Sequence, residues 1–374
     1  MEIILISNSI ITLEIFLDSH IKELYNRGFK ISIISKLGSH KSRLQKYTKN
    51  LHNINFSRNV SIFNDLKSLI QLFFILKKNR KSIVISITPK AGFLTALCKI
   101  FINFRKIHYF TGQVWATKKG LYRYFLKLLD KIIIKTSQIN ICDGASQHSF
   151  MNEELDNPKN LVVLGCGSIK GVDLKLFKKD LQNKKIFRKK LNIPQNAIVG
   201  ISISRLNKDK GILELPNILN PIFKNFPNFY FILIGKDEGK FFDHLKKNLL
   251  TDNFLYFEDT NEPYNFINAS DLSLITSYRE GFCNFALESS ASGVPVICKD
   301  IYGIRDAVIN NFNGFYYKNF ENSYELITKL INDRNISHKT GNNGITHSKN
   351  FSNDIVLNIF VEFIIKFNEK YKIY

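Results

Sequence analysis

At 374 residues the chain exceeds what one ordinary hydrophobic core serves, so two domains are expected. Its composition, 44% hydrophobic and 23% charged, is globular, and its longest apolar runs, such as 69–76, fall well short of the roughly 18 residues that span a bilayer. The net charge of +21 is uneven: residues 1–178 hold 28 Lys and Arg against 11 Asp and Glu, whereas 179–374 hold 25 against 21. The first half should therefore meet something anionic, whether nucleic acid, a membrane or a phosphate-bearing substrate.

The opening residues, "MEIILISNSI", lack a basic leader and carry Glu2, so no secretory signal is expected. Short apolar runs at 2–7, 29–35, 82–87, 106–111, 139–142 and 161–164 read as buried strands separated by helix-sized segments. This is the alternation of a parallel sheet covered on both faces. A lysine-rich polar stretch, 178–196, follows, and the alternation restarts with strands at 197–204, 229–235, 253–258, 271–276 and 294–298. Two doubly wound domains would place a ligand at the carboxyl ends of the strands. The last segment, 355–374, has helical periodicity and is expected to pack back on the first domain. Cys98, Cys142, Cys166, Cys283 and Cys298 form neither a CxxC pair nor a metal-ligand spacing, and read as reduced thiols of a cytoplasmic protein. No histidine cluster supports a metal.

Two stretches carry candidate chemistry. "SRLNKDKG" (204–211) follows the first strand of the second half and offers Arg205 and Lys210 as fixed cations for a diphosphate leaving group. "SYREGFCNFALESSASGVPVI" (277–297) reads as a loop and then a helix from about Phe285 to Ser292. A helix N-terminus favours phosphate, and Glu288, one turn inside, could grip a ribose diol through charge-assisted bonds of about 1.5–3 kcal/mol each. Glu280 stands before the helix. Taken alone, both glutamates read more simply as solvated surface charge, and Arg205 and Lys210 as a solvated loop.

These two segments and "GIRDAVINNFNGFYY" (303–317) come in the order and spacing of retaining glycosyltransferases of family 4, and the chain resembles that family over about residues 2–320. "TPKAG" (88–92), "FTGQVWATKKG" (110–120) and "GCGSIKGVD" (165–173) resemble bacterial members that build O-antigen and capsule repeats. The resemblance implies the α/β GT-B fold, two Rossmann-like doubly wound domains facing across a cleft. Residues 1–178, with a helix of about 357–374, would bind the acceptor, and 186–356 the nucleotide sugar. Arg205 and Lys210 would hold the donor diphosphate, Glu288 the ribose, and Glu280 the donor sugar beside Gly281, Phe282, Cys283 and Asn284. Lys90, Thr111, Gly112 and Gln113 would line the acceptor side. The implied reaction retains anomeric configuration without metal or other cofactor. It would move a sugar, such as an N-acetylhexosamine, from a UDP-linked donor to a polyprenyl-diphosphate-linked saccharide. Two positions depart from the family: Thr111 stands where many members have histidine, and 7–14 lacks the usual Gly-Gly pair. His108 is expected in the core or at a strand edge.

Three basic segments, 73–81, 101–106 and 121–135, join Lys and Arg to aromatic or aliphatic residues. Arg123, Lys127, Lys131 and Lys135 form a stripe on one helix face. They predict peripheral docking of the first domain on the inner face of an anionic membrane. No zinc-finger, RNP-like or helix-turn-helix pattern is present, so nucleic acid is not the expected partner. The alternative reading is a nucleotide-sugar epimerase or glucan-synthase-type enzyme on the same fold.

Overall fold

The computed structural model describes residues 1–38, 42–57 and 61–371. The chain forms two compact units, Met1–Lys170 with the C-terminal segment from Asp354, and Gly171–Asn353. In the first, the order is β1 (Glu2–Ser7), α1 (Ile10–Phe16), α2 (Asp18–Asn26), β2 (Lys30–Ser35), β3 (Asn50–Asn53), α3 (Ile62–Lys78), β4 (Ile83–Ile87), α4 (Pro89–Phe101), β5 (Arg105–Phe110), α5 (Gly120–Thr136), β6 (Ile139–Cys142), α6 (Ala145–Glu154) and β7 (Leu161–Val163). The seven strands pair in parallel in the order β3-β2-β1-β4-β5-β6-β7. Successive residues of a strand face opposite sides. Ile3, Leu5, Ile31 and Ile33 thus join one core, while Ile4, Ile6, Ile34 and Val84 join another with α3 and α4. Both faces are covered, which is why these strands read as unbroken apolar runs.

The second unit runs α7 (Leu181–Lys190), β8 (Ile198–Ile203), α8 (Leu215–Asn225), β9 (Phe229–Ile234), α9 (Phe241–Asn248), β10 (Phe254–Phe257), α10 (Pro263–Ala269), β11 (Leu272–Ile275), α11 (Asn284–Ala291), β12 (Val296–Lys299), β13 (Gly314–Tyr317), α12 (Phe320–Asn332) and α13 (Arg334–Ser348). Its parallel sheet has the order β10-β9-β8-β11-β12-β13. The last helix, α14 (Asn353–Lys370), places Phe360, Val361, Ile364 and Phe367 in the first unit's core. In both sheets strand order reverses beside the first strand, between β1 and β4 and between β8 and β11. The carboxyl ends at such a reversal are where open α/β sheets hold ligands.

The units exchange at Lys170–Gly171, earlier than the 178–186 boundary expected from the sequence. Val172 bridges to Ser352, and Phe177 and Phe187 enter the second core. The lysine-rich stretch is no linker, because α7 buries Phe187 and Arg188. The Arg188 guanidinium donates to the Ala269, Gln195 and Ala197 carbonyls and to Asp271 at 2.7–2.9 Å, so the buried cation is fully paired. Two strands escaped the sequence reading. β3 is a polar, half-exposed edge, and β13 is the short edge that ends the second sheet.

The basic segments are not one kind of surface. In 101–106, Arg105 and Lys106 are buried in β5; Arg105 donates to the Lys81 carbonyl at 2.6 Å and to Asn368 at 2.8 Å. Along α5, Arg123 and Lys127 bond Glu154 at 2.7 and 2.8 Å and approach the Trp115 ring, and Lys131 bonds Asp156 at 2.5 Å. Three of the four cations of the expected stripe are therefore tied to α6 and the turn after it, while Lys135 is exposed. The apolar residues of α5, Leu121, Tyr124, Phe125 and Leu128, are the ones that face solvent.

Lys106 is 0% exposed, and among the described residues its ammonium reaches only the Thr136 hydroxyl at 3.0 Å and the Ile133 carbonyl at 3.5 Å. Burial, reinforced by Lys99, lowers it to about 7. Between about pH 7 and the ordinary lysine range the unfolded chain holds a proton that the folded chain has released, so stability rises with pH there. Below that window the cost is complete. Lys106→Met should therefore stabilise the protein at pH 7 by about 1–3 kcal/mol, with the gain fading by about pH 10. Denaturant titrations at the two pH values check this, and an equal gain at both would reject it. Trp115, the sole tryptophan, donates to buried Asp130 at 2.7 Å, and burial raises that carboxyl to about 7. The folded state keeps this proton where the unfolded state loses it, so here stability falls as pH rises from about 4 to 7. Tryptophan emission should titrate near pH 7, and Asp130→Asn should abolish that transition.

Candidate active site

The loops after β8 and β11 are stitched together at the strand-order reversal of the second sheet. Asn207 caps the 3₁₀ turn Lys208–Lys210, its side-chain oxygen accepting the Lys210 amide at 3.1 Å. Gly211 then takes a φ of +64°, and a Cβ there would lie 2.2 Å from the Thr276 carbonyl oxygen. Only glycine fits such an approach. The Thr276 hydroxyl donates to the Lys210 carbonyl at 2.7 Å, the Tyr278 amide to the Asp209 carbonyl at 2.8 Å, and Arg279 to the Asp209 carboxylate at 2.8 Å. This zipper brings the Lys210 ammonium to 2.5 Å from the Glu280 carboxylate, both largely shielded from solvent. Arg205 is drawn elsewhere: its half-exposed guanidinium bonds Glu238, on the loop after β9, at 2.7 Å, and Asn207 holds the other oxygen of Glu238 at 2.9 Å.

A second support comes from the loop after β12. Gly303 has a φ of +79°, and a Cβ there would lie 2.7 Å from the Glu280 carbonyl oxygen and 2.6 Å from that of Gly281. The Cys283 amide donates to the Gly303 carbonyl at 2.8 Å, fixing the turn into α11. α11 starts at Asn284, one residue before the expected Phe285. Phe282 packs on Phe351 and Cys283 is buried. Burial first, then the neighbouring Glu280 charge, pushes the Cys283 thiol up to about 12, so it stays protonated and is no nucleophile near neutral pH. Glu288 sits in the second turn of α11 and is only 8% exposed, not a solvated surface charge.

Sequence reading missed the outer brace of this loop. Glu214 accepts from Lys299 at 2.5 Å, from the Tyr278 hydroxyl, and from Tyr317 at 3.5 Å, while the Lys299 ammonium lies 3.6 Å from the Tyr278 ring centre. Burial and the Glu214 charge push Tyr278 up to about 12. These residues come from strand ends far apart in sequence, so no local pattern marks them.

In the first unit, Lys90 lies at the start of α4 and bonds Asp65 at 2.8 Å and Ser57 at 2.9 Å. Burial alone would raise Asp65, but the hydrogen bonds from Lys90 and the Ser61 amide hold its carboxyl below the usual range. Asn8, where the Gly-Gly pair is lacking, accepts the Ala91 amide at 3.1 Å and the Thr88 hydroxyl at 2.9 Å. Thr88 has a φ of +79°, strained for a β-branched residue, at the carboxyl end of β4. Thr111 is half-buried, and Gly112 turns with a φ of +107°. Gln113 is buried, its carboxamide donating to Met151 at 3.1 Å and accepting from Gln147 at 3.1 Å, so that side chain points into the core. His108 is a core residue bonded to Ser86 at 2.8 Å; burial, then Lys106, lowers it well below the usual histidine range. Among the described residues no group of three or more His, Cys, Asp or Glu side chains converges as a metal site would require.

The model of the glycosyl transferases group 1 family matches residues 183–347, the segment that contains this zipper. The capsular polysaccharide biosynthesis glycosyltransferase CapM of Staphylococcus aureus is 31% identical over 349 residues, 90% of each chain. The UDP-Gal:alpha-D-GlcNAc-diphosphoundecaprenol alpha-1,3-galactosyltransferase of Escherichia coli is 26% identical over 326 residues, 82% of each. The structure of Anabaena Alr3699/HepE in complex with UDP and glucose superposes with a TM-score of 0.79 at 16% identity, covering 97% of this chain and 99% of that one. Two parallel-sheet Rossmann-like units with this match make the fold GT-B. With CapM aligned along nine-tenths of its length and the family segment carrying Lys210, Glu280 and Glu288, the chain belongs to the group 1 glycosyl transferases.

Proposed function

We propose that this glycosyltransferase moves a hexose or N-acetylhexosamine from a UDP-linked donor to a polyprenyl-diphosphate-linked saccharide during surface polysaccharide synthesis of the capsule or O-antigen type. The observation that carries the reading is the Lys210–Glu280 pair at the strand-order reversal, beside the first turn of α11. An ammonium has three donors, so Lys210 can keep one on Glu280 and offer others to the donor's diphosphate as negative charge develops on it. Glu280 then accepts from a hydroxyl of the donor sugar. The first-turn amides of α11 and the backbone of Gly281 and Phe282 favour the anionic phosphates. Glu288 takes the ribose hydroxyls. Arg205 joins by leaving Glu238, an exposed pair whose loss costs no more than about 1 kcal/mol. The relatives named above support the donor and acceptor classes, since one bears UDP-galactose and a diphosphoundecaprenol acceptor in its name.

In this reading the bond between the anomeric carbon and the phosphate oxygen breaks on the face where the acceptor oxygen attacks. The acceptor's proton passes to the departing phosphate oxygen, and configuration is retained. The cations of Lys210 and Arg205 neutralise the leaving group, so no metal is required. Lys90, Thr111 and Gly112 serve the acceptor, and Gln113 holds the Thr111–Gly112 turn from within. The same reading makes the protein cytoplasmic and peripheral on the membrane's inner face; among the described residues no helix is long and apolar enough to cross a membrane.

Lys210→Ala and Glu280→Gln should each lower sugar transfer by on the order of 10²–10³-fold with the fold intact, as for loss of a transition-state charge partner. Glu288→Ala should chiefly weaken donor binding. Near-normal turnover in all three would overturn the assignment. Among nucleotide sugars, the true donor should raise the thermal unfolding midpoint, by about 2.7 kcal/mol of stabilisation at a hundredfold excess over its Kd. Transfer should persist in a chelator; its loss there, restored by a divalent cation, would defeat the metal-free mechanism.

A further inference from the structure

A surface helix on a sheet normally turns its apolar stripe inward and its polar face to water. α3 does not. It buries Leu72 and Leu76, yet its outward face carries Ile62, Leu66, Ile70 and Phe74 at four-residue spacing, with Phe63 beside them 88% exposed. α4 packs on α3, and α5 packs on α4. On α4, Ile100 and Phe101 are exposed at the helix's carboxyl end. On α5, Leu121 is 88% exposed, and Tyr122, Tyr124, Phe125 and Leu128 are exposed with it. Three neighbouring helices thus each leave several aromatic or aliphatic side chains in solvent, where scattered single residues would be ordinary.

Cations border this surface. Lys67, Lys77, Lys78 and Arg80 on and after α3 are exposed, as is Lys119 before α5. The whole unit carries 29 Lys and Arg against 13 Asp and Glu. A second copy of the chain would bring two such like-charged units together, which opposes self-association. An anionic bilayer complements both features, because aromatic rings sit in the headgroup boundary while lysine and arginine heads stay among the phosphates. The helices follow parallel strands, so α3 and α5 begin at the carboxyl end of the sheet, the end that holds Lys90 and Thr111.

We infer that the outward face of α3, α4 and α5 inserts into an anionic lipid surface, held by apolar side chains rather than by the paired cations of α5. Its sense rests on the proposed lipid-linked acceptor, but it is measured without substrate. The full-length protein is sedimented with vesicles of phosphatidylglycerol and phosphatidylcholine, at low salt and at about 0.5 M salt, where charge attraction is strongly screened. Part of the binding should survive the higher salt. Phe63→Ser with Phe74→Ser, and separately Tyr124→Ser with Phe125→Ser, should each reduce vesicle partitioning at least about tenfold with an unchanged unfolding midpoint. At about 0.5 M salt Lys131→Gln, which removes a cation already paired with Asp156, should change it less than about twofold. Wild-type binding by both double variants would overturn the inference. So would a wild-type dimer in solution that these substitutions dissociate, which would make the face an interface between copies. A protein that binds vesicles through this face but transfers no sugar would defeat the proposed function and leave the docking face standing.

Discussion

The close approach of Gly211 to the Thr276 carbonyl is the constraint on which the second unit's site depends. Parallel pairing of β8 with β11 makes their carboxyl ends neighbours, although the residues lie about seventy positions apart in the chain. Once a backbone without Cβ lets the two loops touch, the Asp209 and Lys210 carbonyls and the Asp209 carboxylate can each accept a bond across the seam. The Lys210–Glu280 pair follows from that seam. A bulkier residue at 211 would separate the loops and leave two shielded charges without each other, a costly arrangement in a poorly solvated place.

The helix carrying Glu288 answers to a second steric rule. α11 is buried through Ala291, and the small Ser290 admits α13 at close range, while Ser289 accepts from Ser273 of β11 at 2.8 Å. Gly341 of α13 lies where a Cβ would be 2.2 Å from the Gly293 carbonyl oxygen, and a Cβ on Gly344 would meet the Ser290 carbonyl oxygen at 3.0 Å. α11 is therefore held without an amphipathic stripe, and its first turn stays fixed beside Glu280. The first unit tolerates more conflict. Arg188 in the second unit has a carboxylate and three carbonyls, whereas Lys106 in the first has a hydroxyl and a distant carbonyl.

Much of this was legible before the structure. Among the described residues, apolar runs marked eleven of the thirteen strands, because a strand buried on both faces has few polar positions to disguise it. The edge strand β3 went unread because its polar residues are half exposed, and β13 because its four residues, Gly314–Tyr317, are too short a run to stand out although mostly buried. Glu280, Glu288 and Lys210 were visible through the spacing of their segments. The Glu214, Lys299 and Tyr278 brace was not, because its members meet only when the ends of separate strands are laid side by side.

Sequence alone determined the class of fold, the family motif and the excess of positive charge in the first half. Each is a property of composition or local spacing. Tertiary structure decided which charges and which apolar groups remain available. Arg105 and Lys106 went into the sheet, Arg123 and Lys127 onto Glu154, and Arg205 onto Glu238, while Phe63, Phe74 and Phe125 were left in water. A pattern along the chain records what a residue is, but its pairing and exposure depend on which distant segment packs against it, and that is settled only when the helices close over the sheet.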